Sequence, residues 1–239
     1  MKAFVAQLRA EVLMTITRGE SLLLTFGIPV GLLVFFSLVN VLPTGTKDPV
    51  TFLAPGVLAT AVMSTAFTSL AIATGFERSY MVLKRLGTTP LGRPRLIAAK
   101  TGAVLVVIAI QAVVIVIASL LLGWHPSSHM ALALPAVILA TIGFAALGML
   151  VAGTLRAEMT LALANGAFIL LMLVSGMVIP VAKLPAVMRT AVSVLPSEAL
   201  AHLLHAAATG HATGTRAWAV LVAWAIVSPM LAARLFRWE

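Results

Sequence analysis

Cysteine is absent from the 239 residues, which excludes a disulfide framework, thiolate metal ligation, a cysteine nucleophile and iron–sulfur chemistry. Charge is scarce as well. Only 10% of the residues are Asp, Glu, Lys or Arg, against about 25% in an ordinary soluble domain. Acids are the rarer sign, 7 against 16 basic residues. What fills their place is apolar: 61% of the chain is hydrophobic, and a globule of this size has too little interior to hide that surface, so the excess must face lipid. The net charge of +9 does not point to nucleic acid, because the basic residues lie between apolar runs instead of on one solvated face interleaved with aromatics. It reads as loop charge that orients a membrane protein.

Charge-free apolar runs cover about 21–46, 49–76, 101–155, 159–182 and 217–233. The third is twice the length that one spanning helix needs, and Gly123-Trp124-His125-Pro126-Ser127-Ser128-His129 divides it as a turn. The pattern therefore predicts an all-α polytopic chain, one transmembrane domain over 1–239, with six spans at about 22–42, 53–75, 101–122, 132–154, 159–180 and 216–235. Six spans put both termini on one side. With the termini inside, the inner segments hold Lys2, Arg9, Arg18, Arg78, Lys84, Arg85, Arg93, Arg95, Lys100, Arg156, Arg234 and Arg237, and the outer ones only Lys47, Lys183, Arg189 and Arg216. The positive-inside rule then predicts a cell-membrane protein with both termini cytoplasmic.

Three segments flank the spans. Residues 2–20 carry Phe4, Leu8, Val12 and Ile16 at helical spacing with charges between them, which predicts an amphipathic helix on the inner membrane surface; the apolar run after it is too long for a cleaved signal. Residues 76–100 predict a cytoplasmic connection with a short helix at about 77–86, ended by Gly87-Thr88-Thr89-Pro90. Residues 181–215 lie outside, with apolar stretches at 186–195 and 198–208 that are long enough for re-entrant or interfacial helices and too short to span.

Few residues could carry chemistry. Gly87 and Gly92 have phosphate-loop spacing, but Arg93 and Pro94 stand where Lys and Ser or Thr are needed. His125/His129 and His202/His205 have spacings open to a metal, yet only Glu198 among the acids lies near them, so interfacial polarity is the better reading. Ser175-Gly176 lacks the preceding glycine of an intramembrane serine protease, and no histidine falls within a span. Every acid sits at or beyond a span boundary, which argues against ion-coupled transport. Gly27/Gly31 and Ala162/Gly166 have helix-packing spacing, expected to serve packing within the chain more than a dimer face. Gln111 and Asn165 are amides within spans that could bond across helices or touch a cargo. No catalytic, metal or cofactor residue is expected.

Two stretches resemble one family. Glu77-Arg78-Ser79-Tyr80 through Arg93, followed by Leu96 to Lys100 opening a span, is similar to the loop between spans two and three of type 2 ABC transporter permeases, the membrane subunits of drug, lipid and polysaccharide exporters. Ser175-Gly176-Met177-Val178-Ile179-Pro180, then Pro185, Pro196 and Ala199, resembles that family's end of span five. The chain departs from the family at Ser79-Tyr80, where Gly-Thr is usual.

The resemblance implies two six-span permeases, a second copy or a paralogue, acting with two ATP-binding subunits. This chain would bind no cofactor itself; ATP and Mg would sit in the partner. Glu77, Arg78, Tyr80, Leu83, Lys84, Arg85, Leu86 and Pro90 would couple to the ATPase, with Arg156 and Glu158 as a secondary contact. Charge reversal at Glu77, Arg78, Lys84 or Arg85 should then uncouple transport and leave insertion intact. Ser175, Gly176, Pro180, Pro185 and Pro196 would belong to an external cap and path, with Gln111 and Asn165 along it, and spans one and five would line the seam between permeases. The function so implied is export of a hydrophobic or amphipathic compound, a drug or lipid-like molecule; the alternative is an assembly factor or lipid-processing enzyme without transport.

Overall fold

The structure, a computed structural model, describes residues 2–17, 19–39, 49–88 and 92–236. Among them the chain forms eleven α-helices and no strand: α1 Lys2–Thr17, α2 Gly19–Leu38, α3 Pro49–Met63, α4 Leu70–Ser79, α5 Val82–Gly87, α6 Gly92–Leu121, α7 Ala133–Thr154, α8 Ala157–Val174, α9 Ala186–Val192, α10 Pro196–Thr209 and α11 Thr215–Leu235. A π-helical turn, Ser64–Ser69, joins α3 to α4 without a break, so that Pro49–Ser79 is one long apolar helix.

Five helices are long and apolar enough to cross a membrane, and Thr25–Leu38 within α2 is a shorter sixth. They stand where the six spans were expected, and the protein is an all-α, multi-pass membrane protein. Three boundaries differ. The second span runs to Ser79 and the third begins at Gly92, so the expected connection 76–100 shrinks to residues 80–91. Helix continues through Glu77, Arg78 and Lys100 because those charges find partners inside the chain. The fifth helix stops at Val174, short of the expected 180, where Gly176 takes a φ of 78° that costs glycine little and other residues more.

Packing divides the helices into two layers. The stretch Pro49–Ser79 is 67% buried over its apolar window, whereas α8 and α11 are 17% buried and present most of their surface outward. At the centre α7 packs against α3, α4, α6, α8, α10 and α11. It does so with small residues, including Ala136, Ala140, Ala145, Ala146 and Ala152. Gly148 faces the π turn so closely that a Cβ there would lie 2.8 Å from the Phe67 carbonyl oxygen. In lipid, close backbone approach of this kind supplies the van der Waals contact that the hydrophobic effect supplies in water.

Gln111 on α6 knits three spans: its Nε2 donates to the Thr25 carbonyl on α2 at 2.6 Å, and its Oε1 accepts from Thr65 Oγ1 in the π turn at 3.1 Å. The side chain is buried, and both ends of its amide are engaged across helices. Asn165 is exposed and donates to the Leu161 carbonyl of its own helix. The two small-residue pairs also depart from expectation. Gly27, Gly31, Ala162 and Gly166 are all exposed, and a Cβ on Gly27, Gly31 or Gly166 would meet nothing within 4 Å. They do not pack against the described residues of other helices.

The flanking segments fall into place around this core. α1 lies along α6, with Leu8 against Gly102. α9 and α10 form the two short helices expected between spans five and six, and α10 is tucked in against α3, α7 and α11 with Leu200, Leu203 and Leu204 buried.

Candidate functional site

At the end of the molecule that carries the connector 80–91, three charges meet. Lys100 is 1% exposed, and its ammonium lies 2.9 Å from Glu11 Oε1 on α1 and 2.8 Å from Glu77 Oε2 on α4. Glu11 also accepts from Gln7 Nε2 at 2.7 Å. A lysine desolvated to this degree is tolerated only when paired, and here two carboxylates from helices far apart in sequence hold it. Beside it, Arg78 Nη1 donates to the carbonyls of Ala152 and Leu155 at 3.0 and 3.1 Å. Those groups belong to the last turn of α7, where carbonyls lack helical partners and a cation is favoured.

The connector leaves this anchored base abruptly. Tyr80 N–H still bonds to the Phe76 carbonyl, and then Met81 adopts φ 60°, ψ 13°, a left-handed conformation that costs a non-glycine residue about 1–2 kcal/mol. The expected helix over 77–86 is therefore two pieces: 77–79 complete α4, and α5 starts afresh at Val82. Leu83 is fully buried and pins α5 to the core, so it is not among the side chains offered outward. Leu86 is half-buried against the same core. Tyr80 is 72% exposed, with its ring stacked on Phe76 at 6.2 Å between centroids, and Lys84 and Arg85 are exposed too. Pro90 lies outside the described residues.

A cavity of about 330 Å³ opens next to the connector, lined by Gly75, Arg78, Ser79, Met81, Leu155, Arg156, Ala157 and Glu158. The structure thus brings Arg156 and Glu158 to the connector's side. Arg156 caps the start of α8 and Glu158 sits in its first turn, where the helix dipole favours an acid. Glu77 and Arg78 are tied into the fold, whereas Tyr80, Lys84, Arg85, Arg156 and Glu158 are exposed.

At the opposite end the contacts run to uncharged acceptors. Ser175, buried at the end of α8, donates to Ser197 Oγ in the first turn of α10 at 2.5 Å. No imidazole activates it. Gly56 on α3 lies against the Met177 carbonyl with no room for a Cβ, which wedges the 175–177 turn between α3 and α10. His205 lies between the same two elements: Nδ1 is 2.7 Å from the Ala201 carbonyl and Nε2 3.1 Å from the Phe52 carbonyl, a neutral ring donating to one of the two, and its ring is 4.7 Å from that of Phe52. Burial holds the His205 pKa below its ordinary value, against the pull of the two carbonyls. Glu198, one turn before His202, is pushed up by burial, against the pull of His202 and Arg216.

A cavity of about 220 Å³ separates these groups, lined among others by Phe52, Ser175, Gly176, Pro180, Glu198 and His205. Pro196 is buried at the start of α10, while Pro185 is exposed before α9. Trp224 Nε1 donates to the Val194 carbonyl at 2.9 Å, and Arg216 donates to Ser193 Oγ, so that α11 secures the cap as well. Among the described residues no three His, Asp or Glu side chains group as a metal site.

Sequence reasoning missed the Glu11–Lys100 pairing and the His205 contacts. The one available signal was Lys100 itself, a lysine directly abutting an apolar run of more than 20 residues, where an unpaired charge is unfavourable.

No curated protein matches the chain. The ABC-2 type transporter family matches it over residues 2–207, from α1 into α10, and so takes in the triad, the connector, the cleft and the serine pair. The chain therefore belongs to the ABC-2 type transporter family and is the membrane-spanning permease component of an ABC transporter, a component that works with an ATP-binding subunit.

Proposed function

We propose that this permease exports a hydrophobic or amphipathic compound, drug-like or lipid-like, with ATP and Mg bound and hydrolysed only in the partner subunit. The observation that carries this reading is the division of labour at the connector. Glu77, Arg78 and Leu83 tie it to α1, α6 and α7, while Tyr80, Lys84 and Arg85 project outward beside the 330 Å³ cleft. An aromatic and two cations on a rigidly based protrusion suit docking into a protein cleft. A push on α5 would reach the base through buried contacts, not through a slack loop. In this reading the connector face is cytoplasmic, as the basic residues favour.

The second permease, a copy or a paralogue, would meet the outward faces of α2 and α8, whose exposed Gly27, Gly31, Ala162 and Gly166 allow close helix approach. The cap of α9 and α10 would close the outer end of the path, with the cavity lined by Ser175, Gly176 and Pro180 beneath it.

The test is a double variant, Y80A together with R85E, in the assembled transporter. Because both side chains are exposed, stability should change by no more than about 0.5 kcal/mol. Substrate-dependent transport should fall at least tenfold, and the ATPase should co-purify poorly. Full transport and full ATPase retention in this variant would remove the connector from the coupling route.

A further inference from the structure

A third cavity, of about 380 Å³, lies at the same end of the molecule as the connector and shares no lining residue with the cleft. Its walls come from the start of α6 (Arg93), the end of α7 (Thr154) and the end of α11 (Arg234, Leu235 and Phe236). Two arginines 141 positions apart in sequence are brought to one concave site, and no carboxylate of the described residues lines it. Arg78 and Lys100, the other cations at this end with known partners, are held by carbonyls and carboxylates. No acceptor among the described residues engages either Arg93 or Arg234.

The surroundings point to lipid. Phe236 is fully buried and closes the floor, its ring filling the space that a side chain on Gly153 would need. Leu235 on the rim is 52% exposed and continues the outward face of α11, which is 17% buried over its span. A site that is cationic inside, bounded by a lipid-facing rim and set at the ends of three spanning helices, lies at headgroup depth.

Guanidinium groups bind phosphate oxygens through paired N–H donors. Two of them, with no carboxylate among the described lining residues, favour a headgroup of net negative charge over one whose phosphate is neutralised by its own ammonium. We propose that the Arg93–Arg234 cavity binds the phosphate of an anionic phospholipid from the leaflet on the connector side.

The experiment counts lipids retained by the purified full-length chain in native mass spectrometry, after exposure to phosphatidylglycerol or to phosphatidylcholine. The wild type should retain phosphatidylglycerol roughly tenfold better, and R93Q or R234Q should each lower that preference by roughly fivefold, as expected for one arginine at a charged leaflet. R93K with R234K, which keeps the charge and loses the fork, should fall between. R189Q at the other end of the molecule should change nothing. R234Q carries the result should R93Q, at the opening of α6, fail to fold.

An unchanged preference in R234Q overturns the assignment. So does equal retention of the two lipids by the wild type. Displacement of phosphatidylglycerol by millimolar inorganic phosphate would assign the cavity to a soluble phosphate and overturn the lipid source.

Discussion

The two ends of this molecule solve the same problem with opposite chemistry. Each must tie helices that are distant in sequence where the chain leaves the apolar core. At the connector end the ties are ionic: Lys100 between Glu11 and Glu77, and Arg78 across the carbonyls of α7. At the capped end they run to uncharged acceptors: Ser175 with Ser197, His205 with Phe52, Gly56 against Met177, and Arg216 with the Ser193 hydroxyl. Buried ion pairs add little net stability when intact but are costly to break singly, which makes the connector end stiff and intolerant of partial change. Hydroxyl pairs cost less to break and to remake, which suits an end that must open. The difference matches the proposed roles, a force-bearing base at one end and a movable cap at the other.

Replacing Lys100 tests the contrast most severely. K100M leaves Glu11 and Glu77 facing each other without their cation and should cost about 3–5 kcal/mol, read as a large drop in the thermal unfolding midpoint of the detergent-solubilised chain. Adding E11Q and E77Q to K100M should recover much of that loss, because the uncompensated charges then go. Failure of the triple variant to recover would mean that packing around Lys100, not its charge, holds the base.

The capped end should respond more weakly and with a different signature. S175A or S197A alone leaves the other hydroxyl buried without its partner, at about 1–3 kcal/mol. The double variant S175A/S197A should cost less than the two single changes added together. Strict additivity across this cycle would deny the hydrogen bond its part in seating α10 on the end of α8.

The smallest effect concerns pH. His205 has a folded-state pKa held below its ordinary 6.5 by burial, so the unfolded chain takes up the proton more readily. The stabilisation from keeping it neutral is fully present above pH 6.5 and is lost as the pH falls towards the folded value. The carbonyls of Ala201 and Phe52 oppose that lowering of its pKa, and the neighbouring His202 adds to it. H205Q should therefore lose part of the acid slope of the unfolding midpoint between about pH 7 and pH 5, where the imidazole titrates. K100M should leave that slope unchanged. Parallel pH profiles for H205Q and wild type would place the acid sensitivity elsewhere.

How much of this was legible in the chain depends on the range of the interaction. The six spans follow from run length and charge alone, because lipid imposes a local rule on every 20 residues or so. The turn at 123–129 follows from local backbone preferences, whereas the stop at Val174 falls short of the 180 expected for the fifth span. The break at Met81 does not follow from such preferences, since no glycine or proline marks it; it occurs where Arg78 draws the end of α4 onto the carbonyls of α7. Reading 77–86 as one helix went wrong there for that reason. Leu83 looked like a contact residue by its position on a short polar helix, and only the packed core shows that it faces inward.

Composition and hydropathy pattern by themselves determined that this is a helical membrane chain with six spans, a basic connector between the second and third, and a short-helix segment before the last. The tertiary structure alone decided which charges are spent on holding helices together and which remain for a partner or a lipid. It also decided which glycines are packed against backbone, as Gly56 and Gly148 are, and which face outward, as Gly27 and Gly166 do. The physical reason is that burial in lipid is a property of each segment, whereas the pairing of Lys100 with Glu11 and Glu77, or the meeting of Arg93 and Arg234 at one cavity, exists only once distant helices lie side by side.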